Sequence, residues 1–416
     1  MDTITERVRS MYERFPYPAG APVFRQGVHA RLLLSRVRRQ RSGDAPLTVL
    51  DAGCGRGVGL VAAAALQPDV QFTGIDLSRP SLEDARSEVA RRGLRNVRLQ
   101  CVDLMTLDGL EVPSGGFDVI LSSGVVHHLA DPSKGLALLA KTLAPHGVLS
   151  LMVYGRHGRE SLRRLVESID LLIPRTAPLE ERLRVGRELV AQAPLPAVRI
   201  GPSADLDALG DVEFVDRYLN VNETSYDVED LFALVESAGL SFLRWCEPAD
   251  WEPLMHLPDG PLRDRVRGLS HRARAGLMER WNWLPRLEAL WVAPGNGPRP
   301  ALDLRSTAGE WVAISPEASL ERVERFLGGT SRLERLALRV RRAPPLPIQE
   351  PILGDLLIQL ADRPEPTPLA ELLEEFASRG YPGEAVGAAI RRLEALDAIY
   401  RPRPKCGLFG VQIAIK

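Results

Sequence analysis

Asp51, Gly53, Gly55 and Gly57 stand at every second position in T-V-L-D-A-G-C-G-R-G, residues Thr48–Gly57. Glycines at this spacing let the backbone turn sharply and would let a bound ligand approach main-chain atoms that a side chain would shield. A dinucleotide fingerprint, G-x-G-x-x-G, would need its third glycine at position 58, where the chain has Val58. The acid at 51 would also repel a pyrophosphate, whereas it can accept hydrogen bonds from an ammonium. D-x-G-x-G-x-G is therefore a poor phosphate cradle and a good seat for the amino-acid end of a ligand. Two further acids are placed alike. Asp76 closes the apolar run Val70–Ile75, 25 residues after Asp51, and Asp103 follows Val97–Val102. A carboxylate at the end of the second strand offers one oxygen to each ribose hydroxyl.

The glycine loop and the three acids, each closing one of three successive strands, resemble the first motifs of the class I S-adenosylmethionine-dependent methyltransferases. The resemblance implies S-adenosylmethionine as cofactor, held by Asp51, Gly53, Cys54, Gly55, Asp76, Leu77, Asp103, Leu104 and Ser122, with Asp103 near the adenine amino group. It extends from Tyr12 to about Pro294. Within it, Phe117–Tyr154, containing H-H-L-A-D-P and L-A-P-H-G, looks like a bacterial subgroup sometimes fused to tetratricopeptide repeats. His146 departs from the family, which usually has a glycine before Gly147, and this is expected to be a loop change that leaves the cofactor site untouched.

Methyl transfer from a sulfonium is an in-line displacement that needs alignment, a nucleophile and a destination for its proton. His127 and His128, in the loop Ser122–Leu129 after the fourth strand, have the ring chemistry to take that proton. The alternative is that they hold the loop by hydrogen bonds. Tyr154, at the end of the fifth strand, is a weaker catalytic candidate. Absences narrow the acceptor. The loop reads S-S-G-V-V rather than N-P-P-Y, and it has neither a cysteine to attack a pyrimidine nor a pair of glutamates. An oxygen or nitrogen acceptor remains, on a small molecule or on a side chain of a peptide or protein. The rival readings are a methyltransferase acting on tRNA or another nucleic acid, and a regulator that senses S-adenosylmethionine without using it. Substrate-binding candidates are Tyr12 and Tyr17, in the stiff aromatic segment M-Y-E-R-F-P-Y-P, and Asn220, Asn222, Glu223 and Tyr226 in F-V-D-R-Y-L-N-V-N-E-T-S-Y. The first segment reads as a lid or as simple packing onto the core, the second as a binding surface or an ordinary hydrogen-bonded loop.

These residues need a frame. Short β-branched runs alternating with helical patterns predict an α/β fold with a parallel, doubly wound sheet, whose ligands sit at the carboxyl ends of the strands. The family likeness implies a seven-stranded Rossmann-like methyltransferase sheet, with Leu287–Ala293 as its seventh, antiparallel edge strand. Residues 155–226 read as a helical insertion, with apolar positions at helical spacing in Leu162–Ile173 and a second helix over Leu179–Ala193, and the family likeness implies that it roofs the substrate pocket. His29–Arg41 reads as a basic helix. The methyltransferase domain is placed at 1–296 and is expected to fold alone, and Pro294–Pro298 reads as a linker. Residues 300–416 read as a smaller α+β accessory domain. There Ala301–Ser315 is expected as a strand pair, Leu320–Leu327 as a short helix, and Pro351–Ala361, Leu369–Ser378 and Glu384–Asp397 as helices. With Ile399–Arg401 and Leu408–Ile415 as a wing, the order from about 350 is winged-helix-like.

Composition excludes some partners. The formal net charge of −1 and pI of 6.7 supply no overall field favouring nucleic acid or an anionic membrane. In the winged-helix-like part the candidate reading helix carries Arg391 and Arg392 but also Glu384, Glu394 and Asp397, and beyond it only Arg401-Pro402-Arg403-Pro404-Lys405 is basic, so nucleic acid is an unfavoured partner and a protein, a peptide or a second copy docking on the C-terminal domain is preferred. Cys54, Cys101, Cys246 and Cys406 are scattered without paired spacing, so no metal site is expected and a reducing cytoplasm fits. Asp2 and Glu6 stand where a secretory leader would be basic and then apolar, and no run approaches the ~20 apolar residues of a membrane helix.

Overall fold

The computed structural model describes residues 2–19, 29–38, 45–192, 210–282, 284–304, 307, 309–327, 330–340, 345–363 and 365–402. The chain divides into two compact units, one of residues 1–27 and 46–297, the other of residues 28–45 and 298–416. A single cut near 296 therefore does not separate them, because residues 28–45 pack with the second unit.

The first unit begins with α1 (Thr3–Arg14), while α2 (Ala30–Leu34) belongs to the second. Its sheet and the helices that cross over it follow in order: β1 (Thr48–Ala52), α3 (Val58–Leu66), β2 (Gln71–Asp76), α4 (Arg79–Arg91), β3 (Val97–Cys101), β4 (Phe117–Ser123), α5 (Pro132–Thr142) and β5 (Leu143–Tyr154). The insertion contributes α6 (Glu160–Leu172), α7 (Leu179–Gln192) and α8 (Asp211–Tyr218). After it come α9 (Val228–Ser237), β6 (Ser241–Trp245), α10 (Pro248–Trp251), α11 (Pro261–Arg267), α12 (His271–Asn282) and β7 (Arg286–Val292). The strands lie in the order β3-β2-β1-β4-β5-β7-β6, parallel throughout except for β7, which runs antiparallel to both its neighbours. This is the seven-stranded Rossmann-like methyltransferase sheet.

Local chemistry sets the element ends. Ser78 Oγ accepts from Ser81 N to cap α4, Asp131 accepts from Lys134 N to cap α5, and Asp227 with Asp230 closes a reciprocal capping box on α9. Helix α3, V-G-L-V-A-A-A-A-L, buries Leu60, Val61 and Ala62–Ala64, as a helix covered on several sides must. Parallel register then brings the carboxyl ends together: Asp51 lies opposite both Gly74 and Leu121, Asp76 opposite Cys101, and Ser122 opposite Leu151.

Three expectations in this unit are corrected. β7 is not the edge strand but lies between β5 and β6, and β6 forms the edge. Its Leu287, Ala289, Leu290, Trp291 and Val292 are all fully buried, the burial of a strand covered on both faces, with Glu288 alone among them part-exposed. Phe214–Tyr218 is the end of helix α8 rather than loop, so only the part from Leu219 onward connects. β5 starts at Leu143, so His146 is not a free loop residue; its Nε2 is 2.5 Å from Asp118 Oδ1, and Asp118 Oδ2 accepts from Thr48 N at 2.7 Å.

The second unit holds β8 (Trp311–Ile314), β9 (Ala318–Leu327), β10 (Thr330–Val340), β11 (Leu346–Pro347), α13 (Pro351–Ala361), β12 (Thr367–Pro368), α14 (Leu369–Ser378), α15 (Gly383–Ala395) and β13 (Ile399–Tyr400). Leu320–Leu327 is strand, not helix: β9 pairs antiparallel with β10 along its length. Of the strand pair expected in Ala301–Ser315, the described residues form β8 alone, and it pairs with β12 and β13. The three helices pack Leu356, Leu357, Leu372, Phe376, Ile390 and Leu393 into one core, each such side chain contributing roughly 1.5–3 kcal/mol. The expected wing strand Leu408–Ile415 and the basic residues from Arg403 onward lie outside the described residues. The helix expected over His29–Arg41 ends at Leu34, with Arg39–Arg41 also outside them. Val37 instead bridges to Pro298, Arg299 N donates to Arg36 O at 2.7 Å, and Arg36 meets Asp397 at 3.0 Å in a buried ion pair.

Candidate functional site

The glycine loop is strung between β1 and the end of β2. Gly53 N and Cys54 N both donate to Ile75 O, at 2.8 and 2.9 Å. Asp76 binds the loop through both carboxylate oxygens, Oδ2 accepting from Gly55 N and Oδ1 from Ser78 N, each at 2.8 Å. Gly53 and Gly55 have φ of +85° and +52°, the left-handed region that favours glycine. A Cβ on Gly53 would lie 2.4 Å from Val125 Cγ2, and one on Gly55 2.6 Å from the Tyr17 carbonyl oxygen. The glycines thus admit the histidine loop and the N-terminal segment, where sequence reasoning credited them only with admitting a ligand.

The acids around this loop suit a cationic ligand. Burial, and secondarily the Asp76 carboxylate, raises Asp51 to about 7, and no described cation offsets it. Burial also raises Asp76, against the backbone N–H groups of Ser78 and Gly55 that favour its charged form. An ammonium facing Asp51 and hydroxyls facing Asp76 would relieve both, which is the donor set of S-adenosylmethionine and the opposite of a pyrophosphate. Asp103, just past β3, turns back on itself, its Oδ1 accepting from Met105 N at 2.8 Å. Leu104 is buried in the core cluster, Leu77 O lies 3.7 Å from Cys101 Sγ, and Cys54 is buried with its thiol pushed up by that burial. Ser122 Oγ is buried with no hydrogen-bond partner among the described residues.

Beyond β4 the chain makes a 3₁₀ turn, Val126–His128, that buries both imidazoles. The His127 ring packs on His128 and Tyr154, with centroids 4.2 and 4.1 Å apart, and Tyr12 approaches His128 at 6.4 Å. Burial depresses both histidines, His127 well below its ordinary range and His128 to about 4, so both are neutral at physiological pH. Arg159 stacks its guanidinium 3.6 Å from the Tyr154 ring centre and donates to both Glu223 oxygens at 3.0 Å. Burial raises Tyr154 to about 12.

Helix α1 packs against the insertion. Met11, Tyr12 and Phe15 pack with Leu162, Leu165, Ile169, Phe214 and Tyr218, so the aromatic N-terminal segment packs onto the helices of the insertion. Tyr12 Oη donates to Asp216 Oδ1 at 2.9 Å and accepts from Asn220 Nδ2 at 3.1 Å. Burial lifts the Asp216 carboxyl to about 6. Tyr17, largely through burial and then Asp216, is also raised. His127, His128, Tyr154, Tyr12, Asn220 and Glu223 are therefore brought together. Asn222 turns its Nδ2 onto the histidine loop, donating to the carbonyls of His128 and Leu129. The Tyr226 ring lies in the core, and its backbone bridges Tyr154 and Arg156. Sequence reasoning missed Arg159 and Asp216. Asp216 was legible as the one acid in F-V-D-R-Y, whereas nothing distinguished Arg159 from the other arginines of the chain.

Comparison with known proteins bears on the family and the fold. A family model described as "Methyltransferase domain" matches residues 44–170. An uncharacterized protein of Synechococcus is 33% identical over 316 residues, 73% of this chain and 74% of that protein. A ubiquinone biosynthesis O-methyltransferase of Caulobacter is 32% identical over 127 residues, 30% of this chain, and the chain spans 48% of its length. PKMT2 from Rickettsia typhi, whose structure was solved in complex with AdoHcy, shares the fold with a TM-score of 0.65 and 17% identity over 94% of this chain and 78% of its own. With its glycine loop, strand-end acids and seven-stranded sheet, the chain belongs to the class I S-adenosylmethionine-dependent methyltransferases and is an enzyme that uses S-adenosylmethionine.

Proposed function

We propose that the enzyme methylates an oxygen or nitrogen of a small molecule or of a peptide or protein side chain, and that a neutral histidine of the His127–His128 pair takes the acceptor's proton. One observation supports this most: two buried, uncharged imidazoles stand in the loop that Val125 presses onto Gly53, with three of their four ring nitrogens unpaired among the described residues. The cofactor supplies an electrophilic methyl group when bound. Asp51 would hold its amino-acid end and Asp76 its ribose, with Asp103, Ser122 and the backbone of Gly53–Gly55 completing the seat. Tyr12, Tyr17, Asn220 and Glu223 are read as flanking the acceptor, with Asp216 and Arg159 fixing Tyr12 and Glu223 in place. Near-neutral charge weighs against a nucleic-acid acceptor. The neutral imidazole pair weighs against a sensor without chemistry.

No helix among the described residues is long and apolar enough to cross a membrane. A cytoplasmic setting, with the second unit serving to dock a partner or a second copy, completes the reading. Its test is transfer of labelled methyl from S-adenosylmethionine to separated protein, small-molecule and RNA fractions of a lysate. Label should enter one of the first two, and replacing the active histidine by Ala should slow transfer ~10²–10⁴-fold with cofactor affinity unchanged. Label confined to RNA would overturn the acceptor class.

A further inference from the structure

The proposed function leaves open which histidine acts and through which nitrogen, and the hydrogen bonds of the insertion bear on both. His128 Nδ1 lies 2.7 Å from the backbone carbonyl oxygen of Asn222. A carbonyl can only accept, so this nitrogen bears the hydrogen, and in a neutral ring Nε2 then holds the lone pair. His128 Nε2 is buried and has no hydrogen-bond partner among the described residues.

The carbonyl that selects this tautomer is itself pinned. Asn222 Nδ2 donates to His128 O at 3.0 Å and Leu129 O at 2.9 Å, and Thr224 N donates to His127 O at 2.9 Å. Asn222 N donates in turn to Asn220 Oδ1 at 3.2 Å. Three consecutive carbonyls of the histidine loop are thus gripped by residues 222–224 of the insertion. His127 differs, because both its ring nitrogens lack a partner among the described residues and no group there selects a tautomer.

We propose that Asn222 is a positioning residue that holds His128 as its Nδ1–H tautomer, making Nε2 of His128, rather than His127, the proton acceptor. Nε2 receives the proton of the acceptor's O–H or N–H. The bonding pair left behind forms the new bond to the methyl carbon, and the carbon–sulfur pair stays with the sulfur. The imidazolium formed keeps its Nδ1–H on the Asn222 carbonyl.

The inference rests on the histidine-base reading, and the test separates the two. Long-range proton–nitrogen NMR of the full chain, labelled with ¹⁵N-histidine and assigned with His128→Gln, reads the tautomer without any acceptor. His128 should show a protonated Nδ1 and a bare Nε2, and Asn222→Ala should convert this to a mixed or reversed pattern while S-adenosylhomocysteine affinity stays within about twofold. A wild-type ring protonated at Nε2 overturns the inference even if Asn222→Ala fails to fold, and so does an unchanged ring in a folded Asn222→Ala. In turnover with an acceptor identified from a lysate fraction, His128→Gln should cost ~10²–10⁴-fold and His127→Gln less than tenfold. Asn222→Ala should lower kcat about tenfold or more with KM little changed. Equal losses at 127 and 128 would overturn the choice of His128. Full rates in both histidine variants, with the tautomer as expected, would overturn the histidine base itself and leave the tautomer standing.

Discussion

Replacing Asp76 by Ala separates two duties that one carboxylate performs. Without cofactor it ties the glycine loop to β2, accepting from Gly55 N and Ser78 N at 2.8 Å each. Hydrogen bonds to a charged group are worth ~1.5–3 kcal/mol apiece, so losing both would cost ~3–6 kcal/mol if nothing offset it. Something does, because burial raises the Asp76 carboxyl, and the variant no longer buries that charge. A net destabilisation of ~2 kcal/mol is expected for the cofactor-free protein. In the second duty the carboxylate accepts from the two ribose hydroxyls, worth ~2–4 kcal/mol together, or roughly a 30- to 700-fold loss in S-adenosylhomocysteine affinity. Urea unfolding of the cofactor-free enzyme reads the first quantity and calorimetry the second. Asp76→Asn preserves the volume but sets an amide N–H₂ against one backbone N–H, so it should fall between wild type and Ala in both assays. Unfolding free energies agreeing within ~0.5 kcal/mol would refute the loop-holding role, and unchanged affinity would refute the assignment of Asp76 to the cofactor.

Other outcomes follow from the same geometry. Gly55→Ala must hold φ at +52° and push its Cβ off the Tyr17 carbonyl oxygen 2.6 Å away, so it should lose at least ~1–2 kcal/mol of stability and tenfold in S-adenosylhomocysteine affinity, by the same two assays. Burial depresses His128 to about 4 from an ordinary 6.5, so between those values the unfolded chain binds a proton that the folded chain refuses. Its contribution is therefore whole above pH 6.5 and is lost as pH falls toward 4, by about 3 kcal/mol, and His128→Gln should flatten the stability–pH curve in that window. Asp51, raised to about 7, should ionise when an ammonium binds beside it. Calorimetry near pH 6.5 in buffers of different ionisation heat should show proton release, which Asp51→Asn abolishes. A chain ending at Gly297 leaves Ala30, Leu32, Leu33 and Val37 without the second unit that buries them, so light scattering should find it aggregated. A monodisperse fragment with full cofactor affinity would show that residues 28–45 do not depend on that unit.

What the amino-acid order determined by itself was whatever depends on neighbours in the chain. Alternating strand and helix patterns, Ser78, Asp131 and Asp227 as caps, and glycines at 53, 55 and 57 after Asp51 are local signals, and they were enough for the fold class and the cofactor. Leu320–Leu327 shows where such signals mislead. Leu320, Val323, Phe326 and Leu327 recur at helical spacing, yet pairing with β10 makes the segment a strand, because ladder hydrogen bonds outweigh a weak propensity. The place of β7 between β5 and β6 is likewise a matter of pairing that no local pattern records. The candidate catalytic centre was decided at longer range still. Asn222 reaches His128 across 94 residues and Tyr12 reaches Asp216 across 204. Residue types named the candidates, but only packing in three dimensions could bury the two imidazoles, leave them neutral and set one ring nitrogen against a carbonyl, because each effect depends on what surrounds a side chain rather than on what precedes it.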